Sequence, residues 1–271
     1  MSRFIDYTYH SHTFRCGHAK GTDEEYAETA YANGYKILGY SDHAMLPGVR
    51  QVGMRGDFSL LEGYVESVKG LQKEYAGKMQ ILLAFECEWY YDRFSQYYES
   101  LLSKRGFDYL ILGQHCFLAE KDQPIFYGRL ADERLALNMY VNDIVAGIHS
   151  GLFLYVCHPD LFREWYPAWD DFAISCSRRI IRAAKETDTP LEVNLGPVRW
   201  ESASKGRLEE HPFYPYGPFW DLVADSGVRV IVGVDAHAPS HLVDSPWDWV
   251  ESFVKSRRLN YVNRLSVPKG R

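Results

Sequence analysis

An α/β fold built on parallel strands is what this sequence predicts, and three observations carry it. Seven short apolar runs recur along the chain, most of them continuous rather than alternating, as strands covered on both faces should be. Helical patterns lie between them, and the largely alternating order points to a parallel sheet or barrel. The length of 271 residues suits one such barrel, while length alone also allows two modest domains.

The first run, residues 4–9, is followed by a helix over 24–33 that Thr22 or Asp23 can cap and Gly34 can stop. The second run is 36–41. Asp57 then reads as the N-cap of a stripe formed by Phe58, Leu61, Val65, Val68 and Leu71. Runs three and four are 80–86 and 109–113. Leu137, Tyr140, Ile144, Val145 and Ile148 form the next stripe, ahead of run five at 152–157. Phe172, Cys176, Ile180 and Ala184 precede run six at 191–195, and run seven is 229–234. No repeat or low-complexity linker interrupts this order, so residues 1–271 are expected to form one domain. Two irregular stretches, 47–56 and about 195–218, read either as walls or lids of a site or as variable surface loops.

Composition excludes several classes. Hydrophobic residues at 46% and charged residues at 24% are ordinary for a globular chain, against disorder, collagen or coiled coil. Thirty basic and thirty-six acidic residues give a charge of −6, the wrong sign for a protein that grips nucleic acid by its phosphates. Five cysteines form no CxxC pair, and their odd number resists a disulfide framework, which fits a reducing cytoplasm. The apolar runs are strand-sized, far below the ~18 residues of a membrane span. The first residues lack the apolar stretch of a signal peptide.

The histidines are placed in a pattern. Run one ends in His10-Ser11-His12, whose alternate side chains can face one ion, and Cys16-Gly17-His18 follows. Run two ends in Asp42-His43, run three in Glu86-Cys87-Glu88, and run four leads to His115. Run five leads to His158 and run seven to Asp235-Ala236-His237. Six of seven runs thus end in His, Asp or Glu, which is expected if the strands form a barrel whose C-terminal rim gathers them. Converging imidazoles and carboxylates call for metal, because desolvating them unpaired is costly. The blander assignments go to His149, His211 and His241 as loop or capping residues, and to Cys87 and Cys157 as outward-facing packing residues. Glu88 shares a strand face with Glu86 and is a rival ligand. Asp42 is placed to hold an imidazole tautomer.

The ordered set HxH, CGH, SDHA, FECEWY, GQH, CHPD and GVDAH resembles the PHP (polymerase and histidinol phosphatase) family, most closely its stand-alone histidinol-phosphatase branch. The resemblance runs from His10 to His237. It implies a distorted (β/α)7 barrel, TIM-barrel-like, with three divalent metal ions (Zn, Mn or Fe) at the C-terminal rim. It also implies ligand sets: His10, His12, Glu86 and Asp235 for the first ion; Glu86, His115 and His158 for the second; His18, His43 and His237 for the third. Arg163 and Arg199 resemble that branch's phosphate-binding pair. For Arg163 the plain alternative is a surface pairing with Glu164 or Asp160.

Two ions bridged by a carboxylate can hold a hydroxide at neutral pH, poised for in-line attack on phosphorus. Bidentate arginine contacts would orient the ester. Asp42 or a metal-bound water could protonate the leaving group. The expected activity is therefore hydrolysis of a small phosphate monoester, first of all L-histidinol phosphate to L-histidinol and phosphate. Another small phosphate, such as a nucleotide or sugar phosphate, is the alternative. A metal-dependent amidohydrolase ranks lower, since the fourth strand end offers no lysine to carboxylate. Three divalent ions would add about +6 and nearly cancel the formal −6, making the mouth attractive to phosphate.

Overall fold

The computed structural model describes residues 4–90, 93–199 and 213–267. Strands β1 (Tyr7–Thr8), β2 (Ile37–Tyr40), β3 (Gln80–Cys87) and β4 (Tyr109–Leu112) pair in that order, all parallel. A short antiparallel hairpin, β5 (Cys116–Leu118) and β6 (Pro124–Phe126), branches off after β4. Strands β7 (Leu191–Asn194) and β8 (Arg229–Gly233) form a second parallel pair.

Two junctions close these strands into a barrel. Val156 bridges Leu112 of β4 on one side and Leu191 of β7 on the other. Beyond β8, Ala236 bridges Ser11 in parallel, with His12 N donating to Ala236 O at 2.8 Å. Below that junction β9 (Asn260–Tyr261) lies along the start of β8, and the Tyr261 and Tyr7 hydroxyls meet at 3.0 Å. The result is the distorted seven-stranded α/β barrel that the sequence predicts. The expected fifth strand, 152–157, is a correction in detail. Its backbone bonds to both neighbours, with Leu154 N to Leu110 O at 2.8 Å and Val156 N to Pro190 O at 3.0 Å, yet only Val156 keeps strand geometry.

Helices cover the outside. Helix α1 (Asp23–Ala32) starts at a complete capping box, the Thr22 hydroxyl on Glu25 N and the Glu25 carboxylate on Thr22 N. Helix α2 (Leu61–Glu74) buries Leu61, Tyr64, Val65, Val68 and Leu71. Asp57 caps the 3-10 turn before it, and the expected first stripe residue Phe58 sits on that turn, exposed. Helices α3 (Ser95–Lys104), α4 (Glu133–Ser150), α5 (Asp171–Thr187), α6 (Gly217–Ser226) and α7 (Trp247–Ser256) complete the layer. No helix among the described residues is long and apolar enough to cross a membrane.

Much of the core is tyrosine, a choice that demands partners for buried hydroxyls. Tyr26 donates to Ala236 O, Tyr64 to Ala84 O and Tyr109 to Tyr9 O. The last of these requires Gly39, where any Cβ would stand 2.0 Å from the Tyr109 oxygen. These hydroxyls tie helices α1 and α2 to the strands beneath them and join β4 to the end of β1.

Candidate metal centre

Six of the seven strand ends at the barrel's C-terminal rim deliver side chains to one cluster around Glu86, buried at its centre and open to solvent at His18. Its Oε2 lies 3.1 Å from His43 Nδ1, 3.3 Å from His12 Nε2 and 3.5 Å from His10 Nε2. Its Oε1 lies 2.8 Å from His158 Nε2 and 3.6 Å from His115 Nε2. Asp235 Oδ1 stands 3.3 Å from His12 Nε2, 3.5 Å from His10 Nε2 and 3.3 Å from His237 Nδ1. His18 comes in from the turn after β1, its Nε2 3.0 Å from His237 Nε2. The structure brings all nine expected ligand residues together.

Local backbone explains how. Alternation along the chain after β1 sends His10 and His12 to the same side, their Nε2 atoms 3.0 Å apart. Glu86 has room because residue 113 is glycine: a Cβ there would lie 1.9 Å from Glu86 Oε1. His158 and Asp235 have φ of 33° and 49°, a region non-glycine residues enter at a cost. Both bend the chain inward directly after a strand end.

The electrostatics match metal ligation. Burial alone would raise the Glu86 carboxyl, but the His43, His115 and His10 imidazoles overcome it and hold it well below the usual range. Asp235 is held low in the same way by His10 and His237. Burial and the neighbouring His237 push His12 down to about 3, and burial also lowers His43 and His18. Against burial, the neighbouring carboxylates, Glu192, Asp235 and Glu86 at His10 and Glu86 and Glu88 at His115, raise those two imidazoles instead, so an ion would take the place of a proton there. Asp235 Oδ1 is buried without a hydrogen-bond partner. Several groups bring potential ligand atoms close enough together for one ion: His10, Glu86, Cys157 and His158; His10, His12 and Asp235; His12, His43 and His237; His43, Glu86 and His115; His12, Cys16 and Asp42. Burial raises both thiols, Cys16 to about 12, which leaves the imidazoles and carboxylates as the donors suited to a divalent transition metal.

Several expectations are corrected. Asp42 makes no hydrogen bond to an imidazole among the described residues, although a carboxylate oxygen lies within 4.8 Å of a His12 nitrogen; its two oxygens accept from Thr13 N at 2.8 Å and Thr13 Oγ1 at 2.7 Å, which fixes the turn carrying His12 and His18. Burial pushes its carboxyl up to about 6. Glu88 is no rival ligand for the Glu86 group. It lies with Arg55 Nη2 at 2.8 Å and reaches His115 Nδ1 at 3.5 Å. Cys157 faces inward, Sγ 3.2 Å from Glu86 Oε1, because it lies beyond Val156, where regular alternation has ended. Cys87 is a buried packing residue, as expected.

The two arginines are buried on the rim. Arg199 Nη2 donates to Val234 O and Asp235 O at 2.9 Å, and Nη1 to Ser245 Oγ at 3.0 Å. It staples the turn that presents Asp235. Arg163 Nη1 donates to Tyr166 O and Ala168 O, and its guanidinium lies 3.9 Å above the Tyr216 ring. Neither of its suggested surface partners holds it by an ion pair among the described residues; Asp160 instead accepts from Tyr216 N at 2.7 Å and Trp220 Nε1 at 3.0 Å. Both arginines keep a buried Nε without a partner. His241 caps locally, its Nδ1 accepting from His237 N, and His149 is exposed. His211 and most of the 195–218 stretch, residues 200–212, lie outside the described residues.

Sequence reading missed Arg55, Glu192 and Asn194. Glu192 sits inside β7, both oxygens 3.1–3.2 Å from His10 Nδ1, and Asn194 links Glu192 to Asp235. The signal was there: a Glu and an Asn, two apart, inside an otherwise apolar strand.

The PHP domain model matches residues 8–195. A protein of Deinococcus radiodurans that carries the histidinol-phosphatase name is 25% identical over 236 residues, 86% of each chain. Two solved structures share the fold. The histidinol phosphate phosphatase of Lactococcus lactis subsp. lactis, complexed with zinc, L-histidinol and phosphate, superposes with a TM-score of 0.67 at 16% identity, over 94% of this chain and 95% of that one. A Listeria monocytogenes chain assigned as a histidinol phosphatase gives 0.66 at 18% identity, over 88% and 97%. The matched family segment covers six of the seven strand positions, and the fold brings Asp235 and His237 to the same rim: the chain belongs to the PHP family.

Proposed function

We propose that this chain is a metal-dependent phosphatase that hydrolyses a small phosphate monoester, L-histidinol phosphate before others, to the alcohol and inorganic phosphate. The observation that carries the reading is the convergence of seven imidazoles on the Glu86 and Asp235 carboxylates, five of them within 3.6 Å of Glu86 and the outermost, His18, reaching the group through His237. The zinc, histidinol and phosphate of the Lactococcus lactis relative support it in substrate and in metal class. Three ions of zinc, manganese or iron would be held by His10, His12, Glu86 and Asp235, by Glu86, His115 and His158, and by His18, His43 and His237.

When bound, such ions supply the acidity that makes water a nucleophile at neutral pH and the positive charge that neutralises phosphate oxygens. The chain's own residues do the rest. Glu86 and Asp235 stay ionised, and His12, His18 and His43 stay neutral, so all keep lone pairs directed inward. Arg163 and Arg199 follow the strand positions of Val156 and β7 on the rim side of the barrel, and their unpartnered Nε donors suit an anion. Tyr214, its ring 6.1 Å from His158, adds an apolar wall that limits water. The reaction adds one water across the P–O bond, and the alkoxide leaves as the alcohol.

The single-domain reading, 1–271, is supported by one apolar core running from Ile5 to Leu265. A cytoplasmic location is supported by five free, buried cysteines. Phosphate release from L-histidinol phosphate, nucleotide and sugar monophosphates and p-nitrophenyl phosphate tests the substrate. We expect L-histidinol phosphate to lead in kcat/KM by at least about tenfold, some 1.4 kcal/mol of preferential binding. Parity with p-nitrophenyl phosphate would remove the assignment and leave a general phosphatase.

A further inference from the structure

Strand β7 is the one barrel strand whose end brings no ligand to the cluster, yet its interior is the most polar of the parallel strands. Its two polar side chains, Glu192 and Asn194, are 0% and 1% exposed. Glu192 Oε1 and Oε2 lie 3.2 and 3.1 Å from His10 Nδ1, the nitrogen that faces away from Glu86 and Asp235. Asn194 Nδ2 donates to Glu192 Oε1 at 2.8 Å and to Asp235 Oδ2 at 3.2 Å, while its Oδ1 accepts from Gly196 N at 2.8 Å. The opposite strand is cut back for this group: a Cβ at Gly233 would lie 2.1 Å from the Glu192 carboxyl.

We infer that Glu192 and Asn194 are positioning residues for the metal centre, acting through His10 and Asp235, and that β7 exists to set those two ligands. The inference rests on the metal-centre reading above. A carboxylate accepting from Nδ1–H leaves the proton on that nitrogen and the Nε2 lone pair directed at Glu86 and Asp235, where an ion would sit. It also makes the imidazole a stronger donor. Asn194 holds one oxygen of Glu192 and one of Asp235 with the same amide, so the two ligands cannot turn independently. Among the described residues Glu192 has no arginine or lysine ion pair; its partners are the His10 imidazole, the Asn194 amide and the Tyr155 hydroxyl, and of these only His10 can carry a charge to match it. A buried carboxylate kept without a fixed cation is costly unless the group it faces needs its charge.

The test is zinc affinity by chelator competition, on the wild-type chain and on Glu192→Gln, Asn194→Ala and Glu86→Gln, with circular dichroism of the metal-free proteins alongside. Glu192→Gln keeps size but loses the charge, and should weaken zinc binding about 10–100-fold with an unchanged metal-free spectrum. Asn194→Ala adds no bulk and should weaken it in the same direction, and it decides the matter if Glu192→Gln does not fold. Zinc affinity within about twofold of wild type in the folded β7 variants, with Glu86→Gln strongly weakened, would overturn the inference and leave the metal-centre reading standing. Unchanged zinc binding in Glu86→Gln as well would remove both. Equal loss of zinc and of the metal-free fold in both β7 variants would show a merely structural role and also overturn it.

Discussion

Glu86 and Glu88 stand two residues apart at the end of one strand, both fully buried and both held below the ordinary carboxylate range against the cost of burial. What holds them differs. Around Glu86 the positive partners are imidazoles, His43, His115 and His10, which can give up their protons to an ion. Around Glu88 the first partner is Arg55, ahead of His115; the arginine's guanidinium cannot be deprotonated, and its other donors go to Ala44 O and Gln51 Oε1. One carboxylate is therefore open to metal, and the other is closed by a permanent cation. Burial and a lowered pKa alone do not mark a ligand; the chemistry of the neighbour does.

The largest expected effect follows from that difference. Glu86→Gln should lower phosphate release by more than about 100-fold, beyond the 10–100-fold typical of outer residues, whereas Glu88→Gln should stay within that range. Steady-state kinetics on both variants checks it, and equal losses would erase the distinction.

Stability should show the reverse order. Arg55→Met leaves Glu88 charged and unpaired in the core and should cost about 3–5 kcal/mol. Urea unfolding reads this as a lower midpoint with the slope kept. Adding Glu88→Leu to Arg55→Met should recover most of that loss, because both charges are then gone. A double variant as unstable as the single would mean that Arg55 acts through packing.

A smaller effect concerns the space around Glu86. Gly113→Ala places a Cβ 1.9 Å from Glu86 Oε1, so either the strand or the carboxylate must shift. The expected cost is about 1–3 kcal/mol of overpacking, together with a lower metal content measured on the purified protein. Unchanged metal content would show that Glu86 can move without losing its role.

The rim was legible in the sequence because a barrel sends strand ends to one place, and His10, His43, Glu86, His115, His158 and Asp235 each follow an apolar run. What lay behind the rim was not. Arg55 meets Glu88 across 33 residues, through an irregular stretch with no periodicity to read. Glu192 lies within a run whose apolar neighbours marked it only as a strand. Cys157 was misread because alternation was assumed past the point where the fifth strand ends, at Val156. Arg199 was placed correctly on the rim, but its donors go to the backbone of Val234 and Asp235, a partnership only the fold reveals.

The central claim is that Glu86 and its imidazoles are a metal centre that performs hydrolysis. Elemental analysis of the purified protein, paired with phosphate release before and after chelation and in Glu86→Gln, tests it most directly. The account predicts about three ions per chain, lost with activity on chelation and reduced in Glu86→Gln, consistent with two ions sharing one carboxylate. One ion or none, with activity retained, would contradict it.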